Sequence, residues 1–394
     1  MKILLINHFP LVGSGSGVYL ENIAKNLVEE GHDVCIIMPE NTTKIKNLQG
    51  IKIHPVYFKR YKKIDGQLEF NFPCFDPHPR SNMNFLDMTE EQVEQYINSF
   101  KEVIEQEIKE FKPDVIHAQH IWIISSIAVD YNIPVVITCH GSDIMGYNAS
   151  ERFHKYAYKA AEGCKKIISI SHNNKNDIIN IFKDQSYKVE LMPNGYNPHV
   201  FYKEDIDKKE VLKSFGIDKE FEKIVCFAGR LTKNKGIDIL LKSAENYEKD
   251  NILTLIAGDG QEYEHLYPLK EKLNLKNVYF LGDQNQDSLR KIYNISDICV
   301  VPSREEAFGL VALEAIACGV PVIATKVGGI PDIITPEVGI LIEKENIQEL
   351  AQEVNNILNG CKKFDTKYLQ EYAKGNYTQE SLMNKLLRIY EEVK

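Results

Sequence analysis

Short apolar runs alternate with amphipathic stretches along most of the chain. KILLIN at 2–7 has the length and composition of a strand, and 18–30 carries helical spacing that stops at Gly31, a good helix end. Strands are then predicted at 33–38, 114–118, 134–139, 166–171 and 188–192, with helical stretches between most of them. Unbroken apolar strands separated by helices predict a parallel sheet covered on both faces. Residues 54–90, rich in Pro, His, Phe and Asn, break the rhythm and read as a long ordered loop or insertion. A linker is expected over about 195–222, opening on the turn signal Pro193-Asn194-Gly195. The pattern then resumes, with strands predicted at 223–229, 253–258, 278–282, 298–302 and 321–325, and helix over 366–394. The fold class this predicts is α/β, with two doubly wound domains in tandem and a ligand between them near strand C-terminal ends.

Composition narrows the function. A chain of 394 residues is long enough for two domains of ordinary size. A net charge of −9 argues against a general nucleic-acid binder, which needs a basic surface. The eight cysteines form no C-x-x-C pair, so a zinc site is not expected, and several lie in apolar strands, as in VVITC, which fits a reducing compartment. No signal peptide is legible, and no apolar run approaches the ~18 residues of a membrane span. The expectation is a soluble, cytoplasmic protein. Peripheral membrane contact is a further expectation: 152–166 reads as a helix that is basic on one side and could rest on anionic lipid, a solvated face being the alternative.

Candidate chemistry falls into four clusters, each after a predicted strand. Gly13-Ser14-Gly15-Ser16-Gly17 precedes a helix; its glycines allow close backbone approach, and the helix N-terminus offers N–H groups to an anion. Arg230 and Lys235, in GRLTKNKG, flank a tight loop and suit a diphosphate. In SREEAFGLVALEA, Glu306 should lie in a loop and Glu314 inside the next helix; each carboxylate can accept hydrogen bonds from vicinal hydroxyls, and Phe308-Gly309-Leu310 would open the helix toward a ligand. His140, in HGSD, ends a parallel strand and could bond a sugar hydroxyl or a transition-state charge. His8, His117 and His120 are weaker cases and read as structure or general pocket lining rather than as functional groups.

With these residues in place, PSREEAFGLVALEAIACGVPVIATKVGGIPDII at 302–334 resembles the donor-site signature of glycosyltransferase family four, the retaining GT-B enzymes, and GRLTKNKG resembles its phosphate loop. The resemblance spans about the whole chain. It implies two Rossmann-like domains facing across a cleft: an acceptor-binding domain at 1–196 and a donor-binding domain at 197–374, with a helix at about 375–394 crossing back onto the first. It implies that Arg230 and Lys235 hold the donor diphosphate, and that Glu306 holds donor-sugar hydroxyls with the amides of Ala307, Phe308 and Gly309. Leu310 and Val311 amides would approach the phosphates and Glu314 the ribose. Gly15 and Gly17 would border the diphosphate, and His140 would support the developing charge, so that His140, Arg230, Lys235 and Glu306 form the expected catalytic set.

The activity implied is transfer of a hexose or N-acetylhexosamine from a UDP- or GDP-sugar to a hydroxyl of a small-molecule, lipid-linked or glycan acceptor. Front-face transfer is expected to need no metal and no cofactor, because two cations and a helix N-terminus can stabilise a departing diphosphate. The family's frequent P-N-G-V-D run is here PNGYN, with Tyr196 and Asn197. His78, Arg80 and Asn84 in the insertion, with His120, are candidate acceptor contacts, since acceptor choice should reside in irregular loops; an ordered structural cover is the other reading. A GT-B sugar-nucleotide epimerase and a non-catalytic sugar-nucleotide-binding protein are the rival functions.

Overall fold

The computed structural model describes residues 1–394 apart from 61–62, 76–77 and 248–250. The chain divides into two compact units, one of residues 1–193 and 382–394 and one of residues 194–381. Each is a parallel sheet with helices on both faces.

Unit 1 has seven strands: β1 (Lys2–Ile6), β2 (Asp33–Glu40), β3 (Ile51–Tyr57), β4 (Val115–Gln119), β5 (Val135–Cys139), β6 (Lys166–Ser169) and β7 (Val189–Leu191). Their order is β3-β2-β1-β4-β5-β6-β7. The direction of winding reverses between β1 and β4, where Ile6 lies opposite Ala118. Alternation along β1 sends Leu4 and Ile6 to one core and Ile3 and Leu5 to the other. Helix Glu90–Glu110 covers the first core; Val93, Tyr96, Phe100 and Ile104 recur at three- and four-residue steps, and Thr89 with Gln92 closes a capping box at its start. Helix Gln379–Val393 covers part of the second, burying Met383, Leu386, Ile389 and Tyr390.

Unit 2 has six: β8 (Lys223–Ala228), β9 (Ile252–Ala257), β10 (Val278–Gly282), β11 (Ile298–Val301), β12 (Val322–Thr325) and β13 (Gly339–Ile342). The order β10-β9-β8-β11-β12-β13 places the reversal between β8 and β11.

Several elements differ from the sequence expectation: β13 matches no expected strand, helix Lys208–Ser214 lies inside the expected linker, and three further regions depart from it. Residues 51–57, which overlap the start of the expected insertion, form β3; its proline, Pro55, is tolerated because β3 is an edge strand. The described residues of the rest of the insertion contribute Phe58, Phe70, Phe72, Cys74 and Phe85 to the core. The helix expected over 366–394 is two helices, Thr366–Tyr377 and Gln379–Val393. The break has a cause: the Tyr196 N–H donates to the Tyr377 carbonyl (3.0 Å) and the Gln379 N–H to the Tyr196 carbonyl (3.1 Å), so backbone from the PNGYN turn satisfies the groups that the helix gives up. The Tyr196 side chain is buried there.

Candidate active site

In unit 2 the predicted residues follow the two strands at the switch point, the usual ligand position of such sheets. Arg230 comes two residues after β8 and is exposed; Lys235 ends a short 3-10 turn, Lys233–Lys235. That turn closes on Gly236, whose φ of +67° and whose position leave no room for a side chain: a Cβ would lie 2.0 Å from the Pro302 carbonyl oxygen. Arg304 fixes the turn from the other strand. Its guanidinium donates to the Lys233 carbonyl (2.6 Å) and to both carboxylate oxygens of Asp238 (2.8 and 3.0 Å), and Glu345 closes the network. Burial raises the Asp238 carboxyl, but the bonds from Arg304 and from Lys242 outweigh it and hold it down at about 2.

Glu306 and Lys235 meet directly, with Nζ donating to Oε2 at 2.6 Å; both side chains remain partly exposed. Ser303 Oγ is 3.4 Å from the same oxygen. Behind them the Glu306 carbonyl sits where a Gly328 Cβ would be, 1.5 Å away, and it accepts the Gly329 N–H at 3.2 Å. Gly309, at φ +102°, is the N-cap of helix Leu310–Ala317. Ala307 is exposed, Phe308 is buried against Tyr377, and Leu310 and Val311 are half-buried. The first N–H groups of this helix have no intrahelical acceptor, so they remain available to an anion. Glu314 lies one turn deeper. It is buried, accepts from Tyr293 Oη at 3.3 Å, and burial pushes its carboxyl up to about 8.

In unit 1, Ser14 caps helix Gly15–Glu29 by accepting the Gly17 N–H at 3.0 Å. Gly15 is open to solvent. Gly17 is packed on backbone, and a Cβ there would lie 2.2 Å from the Pro10 carbonyl oxygen. His140 is buried after β5, with Nε2 2.8 Å from Gln119 Oε1 and Tyr19 edge-on at 5.0 Å. His120 packs 4.9 Å from it, ring to ring. Burial lowers His8, His117 and His140 to about 3 and drives His120 down as well, so all four rings are neutral at pH 7. His117 has a structural tie, bonding Tyr390 of the last helix (2.6 Å) and Thr138 (2.8 Å).

The insertion candidates engage their own neighbourhood. Arg80 forks onto the buried Glu40 carboxylate (2.5 and 3.5 Å), and its N–H donates to His78 Nδ1 at 3.1 Å. Asn84 caps a 3-10 turn, Phe85–Asp87, accepting the Leu86 N–H at 2.9 Å, and donates to the Phe75 carbonyl.

Several residues escape the sequence reading: Asn7, Gln119 and Trp122 around the histidines, Asp143 beneath them, and Arg304 and Tyr293 in unit 2. Position after a strand is the available signal for Asn7, as it is for Arg230. The chain also holds a D-x-D triplet, Asp205-Ile206-Asp207; Asp207 serves as the N-cap of helix Lys208–Ser214, accepting the Lys209 N–H (2.7 Å) and the Glu210 N–H (3.3 Å). Among the described residues no cluster of three His, Cys, Asp or Glu could hold a metal, and no helix is long and apolar enough to cross a membrane.

Residues 207–375 match the family model for glycosyl transferases group 1, and residues 82–200 match that for glycosyltransferase family 4. An uncharacterized glycosyltransferase of Methanocaldococcus jannaschii is 27% identical, over 99% of this chain and 98% of its own. N-acetyl-alpha-D-glucosaminyl L-malate synthase of Bacillus anthracis is 27% identical over 91% of this chain and 88% of its own. Among solved structures, HepE of Anabaena in complex with UDP-glucose superposes with a TM-score of 0.76 at 19% identity, covering all of both chains.

Proposed function

The chain belongs to the group 1, family four glycosyltransferases, and from that premise we propose that it moves a hexose or N-acetylhexosamine from a UDP- or GDP-sugar to a hydroxyl, with retention and without a metal. The observation that carries this reading is the Lys235–Glu306 pair at the N-terminus of helix Leu310–Ala317, beside the switch point of unit 2. A carboxylate there accepts two sugar hydroxyls. An ammonium, the Arg230 guanidinium and the helix amides meet the negative charge of a diphosphate. Glu314, deeper and buried, is assigned to the ribose. The nucleotide-sugar donor is further supported by the UDP-glucose held by the Anabaena neighbour.

In the proposed step the bond from the anomeric carbon to the leaving phosphate oxygen breaks. The acceptor oxygen bonds that carbon on the same face, and its proton passes to the leaving phosphate. Arg230, Lys235 and the first amides of helix Leu310–Ala317 supply preorganised positive potential where the charge develops, and fixed charge of this kind is usually what lowers such a barrier most. His140, neutral and held by Gln119, is the unit 1 residue assigned to the reaction.

The test is a mass-spectrometric screen of purified protein with UDP-glucose, UDP-N-acetylglucosamine and GDP-mannose. The wild type is expected to hydrolyse or transfer from one donor, and Glu306→Ala to lose this. Full activity in Glu306→Ala would sink the reading, and a new free sugar nucleotide formed without acceptor would favour an epimerase. Excess chelator is expected to change the rate by less than about twofold, since no step is assigned to a metal.

A further inference from the structure

The winding of unit 1 also reverses at a switch point, between β1 and β4, and residues at or just beyond the ends of those strands carry buried polar atoms with no hydrogen-bond partner among the described residues. Asn7 leaves both side-chain atoms unpaired, His120 both ring nitrogens, Gln119 its Nε2 and Trp122 its Nε1. All four side chains are at least nine-tenths buried. Asn7 and Gln119 extend neighbouring strands one step past the Ile6–Ala118 pair; Gln119 binds His140, and His140 packs on His120. Folded chains leave few buried polar atoms unpaired, because each forfeits the hydrogen bond it had with water. A group of them at the switch point of a doubly wound sheet marks a ligand position.

The surroundings give the ligand's chemistry. Phe9 and Phe75 stand over His120 at 5.1 and 5.6 Å, and Phe75 stands over Trp122 at 5.1 Å. Burial lowers all three histidines, His120 is lowered further by His140 and His8, and among the described residues no lysine or arginine contributes to these shifts. The adjacent carboxyl, Asp143, raised by burial, accepts the backbone N–H groups of Ile121, Gly141 and Ile144 and adds no positive charge to the site. Neutral amide and imidazole groups beside aromatic faces match the hydroxyls and C–H faces of a sugar or cyclitol. They do not match a carboxylate or phosphate, which calls for an arginine or lysine.

Resting on the glycosyltransferase reading above, we propose that Asn7, Gln119 and His120 form the acceptor subsite of unit 1, that it takes a neutral polyhydroxyl ring, and that Phe75 is the apolar cover which yields to it. Phe75 is half-buried and comes from the insertion, which gives that segment a role beyond filling the core. The Bacillus relative is named for malate, an anion; the chemistry here predicts a different acceptor class.

The experiment uses the full chain with its donor, offering methyl glucoside and myo-inositol against L-malate and glycerol phosphate. Neutral rings are expected to give product with kcat/KM at least about tenfold above the anions. Asn7→Ala and His120→Ala should each raise the ring acceptor's KM about tenfold while kcat changes less; Asn7→Ser replaces Asn7→Ala if the latter does not fold. Phe75→Leu, a smaller cover, should lower that KM, a direction that mere damage to packing would not give. Product from the anions at equal or higher kcat/KM, or unchanged KM in the folded Asn7 and His120 variants, overturns the proposal. Donor hydrolysis without acceptor is read in parallel. If it persists while only anions are glycosylated, this inference fails alone; if neither hydrolysis nor transfer occurs with any donor, both readings fail.

Discussion

The two units carry the same sheet plan and place their chemistry at the same point of it, yet the chemistry is opposite. At the β8/β11 reversal stand Arg230, Lys235 and Glu306, charged and partly exposed. At the β1/β4 reversal stand Asn7, Gln119, His120 and His140, neutral and buried. Topology therefore fixes where a ligand can sit, and the side chains at the strand ends fix which ligand. On the proposed reading the charged groups meet the diphosphate that UDP- and GDP-sugars share, and the neutral groups meet the acceptor, which differs from enzyme to enzyme.

The sharpest break in that comparison is to remove charge from unit 2. Lys235→Ala and Arg230→Ala are each expected to cost about 10²–10³ in kcat/KM, the range for losing one preorganised contact to a developing anion. Lys235→Arg should recover only part, because the compact ammonium that meets Glu306 at 2.6 Å is replaced by a planar fork. The check is initial-rate kinetics with the donor found in the screen. Losses under about threefold in both alanine variants would show that the charged end is not where catalysis draws its stabilisation.

Next in size is the backbone that seats Glu306. Gly328→Ala places a Cβ 1.5 Å from the Glu306 carbonyl at φ +52°. A backbone oxygen cannot move aside as a flexible side chain can, so a stability loss of about 3 kcal/mol is expected, read by urea denaturation. Gly15→Ala, at the helix N-terminus of unit 1 with open space around it, should cost well under 1 kcal/mol in the same assay, roughly the range for an uncrowded surface change.

This contrast also explains what was legible in the sequence. Arg230, Lys235, Glu306 and Glu314 fall in two short segments whose glycines, Gly229, Gly236 and Gly309, all take positive φ, Gly236 also lying against the Pro302 carbonyl, so local pattern carries the site. Asn7, Gln119, His120 and His140 come from three strands with over a hundred residues between the first and last. Each alone is an ordinary polar residue after an apolar run, and only pairing of β1 with β4, and β4 with β5, brings them together. The alternating halves and most strands could be read from apolar runs. β3 could not, because Pro55 breaks its alternation, and neither could the break at Thr378, which depends on backbone arriving from Tyr196.

Proton linkage sharpens the same contrast with a smaller effect. Glu314 is raised from 4.5 to about 8, so the folded chain keeps a proton that the unfolded chain releases across that window, and its contribution to stability falls as pH rises. His117 runs the other way: lowered from 6.5 to about 3, its contribution is complete above pH 6.5 and is lost as pH falls toward 3. The slope is at most ~1.4 kcal/mol per pH unit for each group. Glu314→Gln should therefore gain in Tm relative to wild type between about pH 5 and pH 8, and His117→Gln should close its Tm deficit as pH drops from about 7 to 5. Parallel curves for either variant would assign the pH response elsewhere.

The smallest expected effect tests the boundary of the acceptor region. Asn84 accepts the Leu86 N–H at 2.9 Å and donates to the Phe75 carbonyl at 3.1 Å, so it holds the segment that presents Phe75 through that segment's backbone. Losing such a cap costs about 1 kcal/mol. Asn84→Ala should lower Tm by a few degrees, the shift that ~1 kcal/mol gives in a domain of this size, and leave donor hydrolysis at the wild-type rate. A tenfold or larger rise in acceptor KM with Tm unchanged would instead make Asn84 a direct contact, and would extend the neutral site outward along the insertion, roughly the size of effect one lost hydrogen bond produces.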